Sequence, residues 1–70
     1  MLVVIEAGPE KRRPARWLAE LAERLGFKVV LREVPRGFRV LSPAGVYSDP
    51  DQATAALAAL ARANGGRARR

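Results

Sequence analysis

Two hydrophobic periods alternate along this chain, and they predict its elements in order. Leu2 to Glu6 is a short continuous run of β-branched and apolar residues closed by Ala7-Gly8-Pro9, which predicts a well-buried strand followed by a turn. From Pro14 to Leu25 the apolar residues Ala15, Leu18, Leu21, Ala22 and Leu25 recur at spacings of three and four, the mark of one helical face. Pro14 suits a first helical position, and Gly26 suits a left-handed cap at the C-terminal end.

From Phe27 the period changes to two. Phe27, Val29 and Leu31 fall on one face and Lys28, Val30 and Arg32 on the other; after Val34-Pro35-Arg36-Gly37 the alternation resumes, with Phe38 and Val40 set against Arg39 and Leu41. A hairpin with a four-residue turn keeps the aromatic and aliphatic positions of both strands on one face. It leaves the other face with Lys28, Arg32 and Arg39 around Leu2, Val4, Val30 and Leu41. Pro43-Ala44-Gly45 interrupts the third strand, and Val46-Tyr47 is either its bulged continuation or a short further strand. Asp49 as cap, Pro50 at the first position and Gln52 three beyond the cap then announce a helix from Pro50 to about Asn64, with a methyl-rich face of Ala53, Ala56, Leu57, Leu60 and Ala61. Gly65 is the expected cap, so residues 1–65 form one small domain and 66–70 a flexible basic tail.

The order strand, helix, strand, strand, helix predicts an α+β, two-layer, split βαβ (ferredoxin-like) fold: β-α-β-β-α with two helices on one face of a three- or four-stranded sheet. The crossover rule sets the first strand beside the third, with the second outside. The first strand then forms a sheet edge, which is expected to be covered by the tail or by a second copy of the chain, giving a homodimer through that edge.

Composition narrows the chemistry. Seventy residues allow one modest core, and with no cysteine and no histidine the chain has no disulfides, thiolate chemistry, usual zinc sites or imidazole catalysis. Ser42, Ser48, Thr54 and Tyr47 therefore have no histidine base, and Asp49 and Asp51 are better explained by capping than by a shared metal. The chain is read as a binding module and not an enzyme, with no cofactor and no metal. The opening apolar run is too short for a membrane span or a signal-peptide core, so the expected address is cytoplasmic, with no membrane partner.

Thirteen Lys and Arg against seven Asp and Glu leave a net charge of +6, enough to attract a polyanion. Eleven of those cations are Arg, whose planar fork suits phosphate, although a GC-rich or thermophilic genome would also produce that bias. The candidate contacts are Lys11, Arg12, Arg13 and Arg16 at the start of the first helix, Lys28, Arg32 and Arg39 on the open sheet face, and Arg67, Arg69 and Arg70 in the tail. Trp17 lies just off the apolar stripe, as a partly buried rim residue. The expected ligand is nucleic acid, RNA or DNA, held through its phosphates. A protein-interaction or dimerisation role is an alternative.

A second alternative comes from a resemblance. The opening Leu-Val-Val-Ile-Glu-Ala-Gly, the helix end Leu25-Gly26-Phe27, and Gly37-Phe38-Arg39-Val40 followed by Tyr47-Ser48-Asp49-Pro50 and an Ala-rich helix resemble a SPOR domain over residues 2–65. The resemblance implies a ferredoxin-like fold and, as ligand, peptidoglycan glycan stripped of its peptides and bound on the sheet face.

Overall fold

A computed structural model of the chain describes residues 1–68, with side chains to residue 63. The elements are β1 (Leu2–Ala7), a 3-10 turn (Pro9–Lys11), α1 (Arg12–Arg24), β2 (Lys28–Glu33), β3 (Phe38–Ser42), β4 (Gly45–Tyr47) and α2 (Pro50–Ala68). Both helices pack on one face of a four-stranded mixed sheet, around a core that includes Val3, Ile5, Leu18, Val40 and Leu57. This is the α+β class expected, consistent with a ferredoxin-like βαββα arrangement. Val46 and Tyr47 form a strand of their own, hairpinned to β3 through Ser42↔Gly45.

β1 lies beside β3 and β2 lies outside, as expected, but β2 and β3 are not neighbours. The sheet runs β2-β1-β3-β4, with β1 parallel to β2 and antiparallel to β3. The second and third strands make no hairpin, because β1 lies between them and takes hydrogen bonds from both sides. The expected first-strand edge, and dimerisation through it, are therefore excluded: β1 is interior, and the edges are β2 and the three-residue β4. The sequences suit this division. β1 holds the apolar run, whereas β2 carries Lys28, Arg32 and Glu33, charges that discourage pairing with another chain at an edge.

The faces nevertheless come out as expected, because register on β1 imposes the same period of two. Leu31, Ile5, Val40 and Tyr47 form one row toward the helices. Leu31 stays 46% exposed, since the edge strand is only partly covered.

To reach β3 from β2 the chain must cross over the end of β1. Two strand spacings amount to about 10 Å, and the five Cα-to-Cα steps from Glu33 to Phe38 reach at most about 18 Å; Val34–Gly37 forms a short strap drawn close across Ala7 and Gly8. Val34 N–H donates to Ala7 C=O (3.2 Å) and Gly8 N–H to Gly37 C=O (2.8 Å). A Cβ on Gly8 would stand 2.5 Å from Arg36 Cα and 2.9 Å from its carbonyl carbon, so only glycine fits beneath the strap. Gly8 itself has ordinary extended backbone (φ −79°, ψ 175°), so space and not conformation selects it.

Local signals hold elsewhere. α1 ends in a Schellman motif: Phe27 N–H donates to Ala22 C=O and Gly26 N–H to Glu23 C=O, both at 3.0 Å, with Gly26 left-handed at φ +98°. Phe27 and Ala22 are both buried, closing the motif with an apolar contact. α1 begins at Arg12, two residues before the expected start. Pro14 is accommodated because first-turn N–H groups have no partner within the helix. At α2, Gln52 N–H donates to Asp49 Oδ2 (3.4 Å) and Pro50 opens the helix, as expected. The helix continues past Gly65 to Ala68, so residues 66–68 of the expected tail are helical. Arg69 and Arg70 lie outside the described residues.

Among the described residues the large, fully buried side chains are Ile5, Leu18, Leu57, Val3 and Val40. At about 1.5–3 kcal/mol each, so small a core tolerates little strain. Gly8→Ala is expected to lower stability by about 3 kcal/mol or more, as overpacking against backbone does. Gly26→Ala, where the added methyl meets open space and only the left-handed conformation is strained, should cost about 1–2 kcal/mol. Urea midpoints of the two variants check this; an equal or milder effect at Gly8 would contradict the strap.

Candidate functional site

The C-terminal ends of the parallel strands β1 and β2, the first turn of α1 and the strap meet at one end of the sheet. The segment Lys11-Arg12-Arg13 leaves β1 there, with Arg16 one turn further along α1. α1 has no side-chain cap and no acidic residue in its first turn; cations occupy the positions where acids would complement the helix dipole. α2 shows the usual arrangement, with Asp49 and Asp51 at its start. The 3-10 turn runs directly into α1: Lys11 N–H donates to Gly8 C=O (3.0 Å) and Arg12 N–H to Pro9 C=O, Pro14 has no N–H, and Glu10 in that turn is the nearest acidic side chain before the cations.

Beside this terminus, between α1 and β2, lies a hollow of about 240 Å³. Ala7, Ala15, Leu31 and Val34 form its apolar lining, and Arg12, Arg16 and Arg32 its cationic part. Arg12 Nη2 reaches Glu33 Oε2 at 3.9 Å, with both side chains well exposed, a pairing too loose and too wet to hold the arginine against a competing anion. Arg36, in the strap, has its backbone directly against Gly8. Trp17 is 56% exposed, one helical turn beyond Arg13, where a partly buried rim position was expected.

The open sheet face carries a second group. Glu6 stands in register between Arg32 and Arg39. Its Oε2 lies 3.6 Å from Arg32 Nη1 and its Oε1 3.7 Å from Arg39 Nε, so one carboxylate steadies two guanidinium groups.

The structure therefore brings Lys11, Arg12, Arg13, Arg16 and Arg32 to one end, with Arg39 adjoining through Glu6. Lys28 does not join them: it pairs in register with Leu2, four residues before Arg32 and so about 13 Å away along the strand. Arg67 belongs to the distant end of α2. Sequence reasoning missed Arg36, which looked like a turn residue and reaches the site only because the strap crosses β1. It also missed Glu6, although its outward parity matches that of Arg32 and Arg39.

Among the described residues no polar or charged side chain is buried, and no group of three or more Asp or Glu could hold a metal ion. Nor is any helix there long and apolar enough to cross a membrane. The chemistry on offer is the exposed guanidinium fork, suited to phosphate and carboxylate. In comparison with known proteins, the chain matches no family model, no curated protein and no solved structure.

Proposed function

We propose that the chain is a non-enzymatic cytoplasmic module that binds single-stranded nucleic acid, RNA in the first instance, at the basic end of its sheet. The observation that carries this reading is the convergence of Lys11, Arg12, Arg13, Arg16, Arg32 and Arg36 on one helix terminus and strap, with the exposed ring of Trp17 alongside. Phosphates would take the forks of Arg12 and Arg16. A bound phosphate would also supply the negative charge that the first turn of α1 lacks.

Trp17 supports a single strand over a duplex. Stacking on an exposed ring requires a base free of its partner, and such stacking is tolerant of sequence. Cations with one adjacent aromatic ring, and no buried polar side chain to read base edges, fit a backbone-gripping module of broad sequence tolerance.

Binding of a labelled single-stranded RNA should weaken steeply with salt. Five phosphate contacts give a log–log slope of about −3.5, or roughly a hundredfold loss between 50 and 200 mM salt. Fluorescence anisotropy measures it, and a flat salt dependence would end the proposal. The double variant Arg12→Glu/Arg16→Glu should bind at least tenfold more weakly and with a shallower slope. Trp17→Ala should lose about tenfold in affinity, the lower end of a stacking contribution, while leaving the slope unchanged. Trp17 is the chain's one tryptophan, so its fluorescence in the parent protein should respond to RNA; a silent Trp17 would remove it from the interface.

A further inference from the structure

The open sheet face presents an apolar stripe with two arginines along one side and one lysine on the other. Register sets Val30, Val4, Leu41 and Val46 in one row across all four strands. Val46 is 62% exposed and Val30 43%, and Leu2, at 53%, adjoins the row. An antiparallel sheet with a solvated face ordinarily turns polar residues outward. Here a whole row is aliphatic, and both helices lie on the opposite side.

On one side of the stripe stand Arg32 and Arg39, steadied by Glu6, and on the other Lys28. Each arginine gives Glu6 only a long contact of 3.6 or 3.7 Å, which leaves most of its N–H donors available. Same-face rows repeat about every 6.8 Å along a strand, so Lys28 stands about 13 Å from the row of Arg32 and Arg39. That separation accommodates one α-helix, about 10–12 Å across with its side chains. The row itself spans three strand spacings, about 14 Å, which matches roughly nine helical residues at about 1.5 Å each.

The geometry points to an acidic amphipathic helix of a partner protein as the occupant, its apolar stripe on Val30, Val4, Leu41 and Val46 and its carboxylates on Arg32 and Arg39 at one flank and Lys28 at the other. Charge decides against a second copy: each face offers three cations and the single carboxylate of Glu6, and each chain carries +6. The covering of the face decides against RNA, because the row consists of aliphatic side chains and offers no ring on which a base could stack. This surface is separate from the basic end, although Arg32 borders both.

The test uses the whole chain and two synthetic 18-residue peptides of identical composition. In one, leucines recur at three and four with glutamates on both flanks; the other is scrambled. Amide shifts of the labelled protein report the contact. The expected result is perturbation centred on Val4, Val30, Leu41 and Val46, with at least tenfold tighter binding of the amphipathic peptide. Val46→Glu should weaken it at least tenfold and the β-branched Val46→Thr about threefold, both with unchanged melting temperatures because Val46 is exposed at a sheet edge. Arg12→Glu/Arg16→Glu, which removes the proposed RNA contacts, should leave peptide affinity within about twofold, so the two surfaces stand or fall separately. Equal binding of the scrambled peptide would overturn the inference, as would self-association of the free protein that Val46→Glu abolishes. Stronger perturbation of the same four residues by single-stranded RNA would overturn it as well.

Discussion

The passage of four residues over the end of β1 is the constraint on which the rest of this structure depends. β2 and β3 lie on opposite sides of β1, so the chain between them must cross that strand within four residues. The crossing is possible because Gly8 presents no side chain to the backbone of Arg36. It is fixed by two hydrogen bonds, from Val34 to Ala7 and from Gly8 to Gly37. Strand order, the interior place of β1 and the exposure of β2 all follow from it. With a core of few large side chains, little else compensates if that crossing is disturbed.

The same crossing organises the charge. The link from β1 to α1 and the strap from β2 to β3 leave the sheet at the same end, so cations remote in sequence become neighbours there. Arg12 and Arg16 come from the helix, Arg32 from the edge strand and Arg36 from the strap. Helix α1 begins among these cations without an acidic residue in its first turn, while α2 begins with Asp49 as cap and Asp51 beside it. The acidic residue nearest the α1 terminus is Glu10, in the 3-10 turn before it.

Two surfaces of different character result. The basic end is wet, cationic and open, and its chemistry suits a phosphate backbone. The free sheet face is an aliphatic row with cations on its flanks, and its chemistry suits an apolar stripe bordered by carboxylates. Glu6 links the two by steadying Arg32 and Arg39. A module with two such surfaces could hold a nucleic acid and an acidic protein together, each through contacts that the other leaves largely free.

The elements themselves were legible in the sequence, because their causes are local. The run Leu2–Ala7, the three-and-four spacing of α1, the Gly26 cap and the Asp49-Pro50 start each depend on residues within a turn or two of one another. So does the assignment of Lys28, Arg32 and Arg39 to the open face, since a period of two survives any change of neighbour that preserves parity. Strand order was legible only in part: β1 beside β3 and β2 outside were expected, but not β1 between β2 and β3. Val34-Pro35-Arg36-Gly37 can close a hairpin or cross a strand with the same four residues, and the choice lies in which backbone groups β1 bonds and in the space above Gly8. Tertiary structure alone therefore placed β1 inside the sheet, brought Arg36 to the basic end, set Glu6 between two arginines and aligned Val46 with Leu41, Val4 and Val30. Local propensity fixes where strands and helices begin and end; hydrogen bonds and packing between distant segments decide which of them meet.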